Sequence, residues 1–183
     1  MKNLTRISAA LKICSMVCLA ALPLSEAGYW ITDGYPFLQG TGFAVDPLPQ
    51  FGSHPLQWGD LTEVQKLLGF ASNLLPLVFS MAALYCLFQV FSAFERLELF
   101  AKSNATLLKK AGWSLVLGQL VFPLHTVLLS LSLTYRNPVG TRNITVAFGS
   151  HQAAILLIGM AVLLVAGIME QAASLHEEQQ GTV

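Results

Sequence analysis

Charge is scarce in this chain. Asp, Glu, Lys and Arg make up 11% of its 183 residues, against about 25% in an ordinary soluble domain. The hydrophobic share is 54% and the mean hydropathy is +0.60. The apolar residues come in runs, so the excess faces lipid rather than one water-excluded core. The net charge is zero and the pI is near 6.9. No global basic field is present, which argues against direct nucleic-acid binding. Cysteine is also sparse. Cys14, Cys18 and Cys86 all lie in apolar runs, which excludes an extracellular disulfide framework. Cys14 and Cys18 sit one helical turn apart. No His, Asp or Glu accompanies them, so they read as small side chains in a membrane helix rather than as metal ligands. The apolar runs hold no paired carboxylate, no His-Glu metal signature and no serine nucleophile motif. Neither an enzyme nor a cofactor is expected.

What the chain does have is four apolar runs, with spans expected at about 7–24, 67–91, 114–133 and 152–169. Lys2, Arg6 and Lys12 precede the first. That charged start, the apolar core 13–24 and small residues at Ser25 and Ala27 resemble a cleaved signal peptide. The reading adopted is a retained first helix, with Lys12 snorkelling to the interface. Residues 28–66 then read as a long extracytoplasmic loop. Pro36, Pro47, Pro49, Pro55 and six glycines oppose long regular elements there. Tyr29, Trp30, Tyr35, Phe37, Phe43, Phe51 and Trp58 suit a membrane–water boundary. His54 stands alone and is not read as a metal ligand.

Inside the second run, Gly69, Asn73, Pro76, Ser80 and Ala83 form one helical stripe of small and polar groups, which predicts a face turned to other helices. In the third run Ser114, Gly118, His125 and Ser132 share a face. His125, with Asn73 and Gln119, is a candidate for an intramembrane polar path, and a neutral imidazole bonded to a neighbouring helix is the rival. In the fourth, Gln152, Gly159, Ala166 and Ala173 recur every seven residues, a seam for left-handed packing.

Cytoplasmic segments gather Lys and Arg. Counting alternate sides gives seven against three. Both termini and the 94–113 stretch are therefore expected in the cytoplasm. That stretch is basic at Arg96, Lys102, Lys109 and Lys110, and the tail is acidic at Glu170, Glu177 and Glu178. Ser103 is a candidate N-cap for a helix running on into the third span. The stretch reads either as a hairpin held to anionic headgroups or as a docking surface for a cytosolic partner, made of Arg96, Lys102, Asn104, Lys109, Lys110, Glu177 and Glu178.

The segment 97–113 (Leu97-Glu98-Leu99-Phe100-Ala101-Lys102-Ser103-Asn104 through Leu107-Leu108-Lys109-Lys110-Ala111-Gly112-Trp113) resembles the central signature of the bacterial domain of unknown function 2975 family. That signature has a Phe usually followed by Thr, then Asn, a Leu-basic-basic segment and Gly-Trp. Ala101 stands here in place of the Thr, and Glu98 where Gly is common. The tail, with Leu175, Glu177, Glu178 and a terminal Thr182-Val183, is similar to that family's ending. The resemblance implies four spans in a bacterial inner membrane. It also implies a cytosolic helix-turn-helix regulator as partner, since the family's genes often lie beside one. The expected fold is an all-α integral membrane four-helix bundle. The expected function is regulatory or interactive, with the lipid bilayer and a homo-oligomer among the contacts. A small transporter or permease subunit is the alternative.

Overall fold

A computed structural model describes the backbone of residues 2–35, 48–51, 56–97 and 101–181, and the side chains of 5–35, 48–51, 56–97 and 101–175. Phe37, Phe43, His54 and Glu98 lie outside the described residues, as do the side chains of Glu177 and Glu178. The described residues are all-α. Four helices run Lys2–Ile31 (α1), Glu63–Glu95 (α2), Lys102–Thr134 (α3) and Ser150–Gly181 (α4), with a 3-10 turn at Trp58–Asp60. All four are long and apolar enough to cross a membrane. At most 33% of each apolar stretch is buried inside the protein, so most of those side chains are left for lipid.

The helices outrun the apolar runs. At 33 residues, α2 and α3 are each about 50 Å long, against about 30 Å of hydrocarbon. Helix α1 continues through Glu26 and Gly28 to Ile31. The connection expected from residue 28 therefore starts at residue 32. Helix α2 starts before its expected span, at a turn where the Gln65 side chain reaches back to cap Thr62. Gln65 Oε1 accepts from the Thr62 N–H at 3.1 Å and from its hydroxyl at 2.9 Å. Helix α3 begins at Lys102, so Ser103 is inside the first turn and not its cap. The Asn104 N–H instead donates to the Ala101 carbonyl at 2.9 Å.

The chain packs as two compact units, one of residues 1–20, 78–120 and 149–183 and the other of residues 21–77 and 121–148. In the first, small residues let helices approach. Gly159, Ala166 and Ala173 of the heptad seam are buried. A Cβ on Gly112 would lie 2.8 Å from Leu163 Cγ, and one on Gly159 3.0 Å from Val116 Cγ2. Only glycine allows this α3–α4 crossing without movement. Ion pairs accompany it: Lys12 to Glu95 at 2.9 Å and Lys109 to Glu170 at 3.5 Å.

The second unit has a buried cluster of Trp30, Leu48, Phe51, Leu61, Leu129 and Leu133. Tyr29, Trp30 and Trp58 meet edge to face with centroids 5.2–5.8 Å apart. Tyr29 and Trp30 at the end of α1 thus pack with Trp58 as one aromatic cluster. Helix α1 ends in a Schellman turn, with the Gly34 N–H on the Tyr29 carbonyl at 2.8 Å and Asp33 left-handed at φ 54°.

An extended strap after α3 completes this unit. The N–H groups of Asn143, Thr145 and Ala147 donate to the hydroxyl oxygens of Thr134, Ser130 and Thr126 at 3.2, 3.0 and 3.1 Å. Each hydroxyl in turn donates to a carbonyl of its own helix. Two extended residues advance about 6.8 Å and four helical residues about 6.0 Å, so the two periods nearly match. The intervening Ile144, Val146 and Phe148 are exposed.

Gly69 shows how tight the second unit is. A Cβ there would lie 2.6 Å from Trp30 Cζ3. Gly69→Ala is expected to cost about 1–3 kcal/mol through overpacking. Gly167→Ala, with nothing within 4 Å of its Cβ, should leave stability unchanged or slightly raised. Thermal unfolding of both variants in one detergent checks the contrast.

Candidate functional site

Three helices of the second unit deliver one polar chain. Glu26 comes from α1, one turn before Trp30. Asn73 comes from α2, on the small-residue stripe, and His125 from α3, two residues after Pro123. Asn73 Nδ2 donates to Glu26 Oε1 at 2.6 Å, and Trp30 Nε1 donates to the same oxygen at 2.9 Å. His125 Nε2 lies 2.6 Å from Asn73 Oδ1. His125 is 8% exposed, and its ring meets Phe122 at a centroid distance of 5.3 Å.

The protonation pattern follows from the donors. A carboxylate oxygen can only accept, so Asn73 must turn its NH₂ to Glu26 and its carbonyl to His125. A carbonyl can only accept, so His125 Nε2 carries a hydrogen. In the neutral ring Nδ1 is then a bare acceptor. It is buried and has no hydrogen-bond partner among the described residues.

A cavity of about 340 Å³ opens against this chain, lined by Ser25, Glu26, Tyr29, Trp30, Pro49, Asn73, His125 and Leu129. Trp30 also borders a larger recess of about 760 Å³. There Lys66 Nζ meets Asp33 at 2.7 Å and Glu63 at 3.6 Å. Among the described residues no three His, Cys, Asp or Glu side chains group as metal ligands.

Of the sequence-read polar residues, Asn73 and His125 are in direct contact, and Gln119, half-buried, belongs to the other unit. Glu26 was missed as a site residue. It borders an apolar run that also resembles a cleaved signal peptide, and its acidic charge next to that run was the available signal. Arg96, Lys102, Lys109 and Lys110 are all exposed. Asn104 is different: it is 1% exposed, so its side chain is an internal polar group and not part of an accessible docking surface.

Four membrane-length helices and an internal polar chain define a multi-pass, all-α membrane protein. Residues 26–183 match the family described as Protein of unknown function (DUF2975), and the chain belongs to that family. No curated protein and no solved structure matches it.

The bridge itself is testable. Asn73→Ala leaves Glu26 and His125 without it and is expected to cost about 1–3 kcal/mol. The cost should shrink in a Glu26→Gln background, because the two side chains share one interaction. A double-mutant cycle read by reversible unfolding in mixed micelles checks this, and strict additivity would sink the coupling.

Proposed function

We propose that this protein is a non-enzymatic regulatory protein of a bacterial inner membrane, with both termini and the α2–α3 connection in the cytoplasm. Its basic segment and its α4 tail engage a cytosolic partner, for which the family resemblance points to a helix-turn-helix regulator. The observation that supports this reading is the pair between Lys109 and Glu170. It joins the basic turn of α3 to the acidic stretch of α4, with both side chains about half exposed. An exposed pair of this kind is worth about 1 kcal/mol or less. A partner can therefore displace it cheaply, and Arg96, Lys102 and Lys110 lie exposed in the same unit. Purification from detergent after crosslinking is the test. Reversing the charge at Lys109 and Lys110 is expected to release the specific cytosolic partner. Retention of every such partner by the charge-reversed protein counts against the proposal.

Retention of the first helix is part of this reading, since α1 supplies Lys12 to Glu95 and Glu26 to Asn73. The intact mass of the purified protein is expected to include residues 1–27. A mass lacking them would contradict it.

A second reading, a small transporter or permease subunit, is favoured by the Glu26–Asn73–His125 chain alone. On that reading His125→Ala lowers a pH-dependent flux in vesicles. An unchanged flux in folded protein removes His125 from any such path.

A further inference from the structure

The cavity beside the polar chain has a one-sided chemistry. Among the described lining residues, the donors of Trp30, Asn73, Ser25 and His125 are already committed. Trp30 Nε1 and Asn73 Nδ2 both point to Glu26 Oε1, and the Ser25 hydroxyl donates to the Leu22 carbonyl at 2.9 Å. His125 Nε2–H faces Asn73 Oδ1. What remains is an acceptor: Glu26 Oε2 has no hydrogen-bond partner among the described residues, since both bonds go to Oε1. The rings of Tyr29 and Trp30 form part of the wall.

A carboxylate and two aromatic rings favour positive charge and N–H donors. They disfavour an anion or a free carboxylic acid. A multivalent metal is poorly served, because among the described residues Glu26 and His125 are the only two lining side chains of the metal-ligating kinds. The cavity volume of about 340 Å³ lies at the small end of ligand sites. We propose that this cavity binds a small primary ammonium compound, its N–H groups on Glu26 and its chain against Tyr29 and Trp30. The ammonium donates to Glu26 Oε2, the oxygen that Asn73 and Trp30 leave open, without breaking the Asn73 bridge. This assignment rests on the cavity's own geometry and does not depend on the docking reading.

The probe pair is n-butylammonium and n-butanol, its uncharged isostere. Full-length protein in lipid nanodiscs is titrated with each while tryptophan emission is followed, since Trp30 forms part of the wall. The expected result is a saturable response to n-butylammonium at a concentration at least about tenfold below any response to n-butanol. Glu26→Gln is expected to weaken the ammonium response by about tenfold or more, while Lys109→Ala leaves it unchanged. Equal responses to the two probes, or no saturable response to n-butylammonium, overturn the assignment. So does full-strength binding by Glu26→Gln. Should that variant fail to fold, the probe pair on the natural protein decides alone.

Discussion

The side-chain amide of Asn73 has two ends, and both are committed. Its NH₂ holds Glu26 and its carbonyl holds His125, each at 2.6 Å. In an apolar setting an unsatisfied polar group costs several kcal/mol. A carboxylate, an amide and an imidazole brought there separately would each destabilise the fold. Joined in this order, both ends of the Asn73 amide, one Glu26 oxygen and Nε2 of His125 are satisfied, and the order follows from which atoms donate. The rest of the second unit is arranged to let it form. Gly69, one turn before Asn73, gives the Trp30 ring room to lie against α2. Trp30 in turn places its indole N–H on Glu26.

The same constraint explains the strap. Its backbone N–H groups at Asn143, Thr145 and Ala147 have no strand among the described residues to pair with. Hydroxyls on α3 take that role, while Ile144, Val146 and Phe148 remain outward. The first unit solves a different problem. It relies on close approach at Gly112 and Gly159 and on the buried alanines of α4, beside the ion pairs of Lys12 and Lys109. Dispersion over short distances adds to the polar contacts there.

How much of this the sequence discloses depends on whether a pattern is periodic within one helix. The four spans, the stripe holding Gly69, Asn73 and Ala83, and the heptad seam at Gly159, Ala166 and Ala173 repeat at helical spacing, so they are readable. His125 is readable because an ionisable side chain in an apolar run is rare. Its partner across the gap is not, because Glu26 sits at the edge of a run that also resembles a cleaved signal peptide. The strap escapes for another reason. It matches a two-residue period in one segment to a four-residue period in another, and neither segment shows this alone. Asn104 lies among charged neighbours and reads as surface, yet packing buries it. Helix ends were misplaced where a side-chain cap, Gln65 on Thr62, carries a helix past its apolar run.

The central claim is that Glu26 orients Asn73 and Asn73 fixes the imidazole of His125 with its hydrogen on Nε2. Nitrogen NMR of protein carrying ¹⁵N-labelled histidine measures this directly. At mildly alkaline pH the signal lost in His125→Asn identifies the residue among the four histidines. The account predicts a neutral ring protonated at Nε2 and bare at Nδ1, with that preference relaxed in Asn73→Ala. A neutral ring protonated at Nδ1, or one indifferent to Asn73, would contradict it.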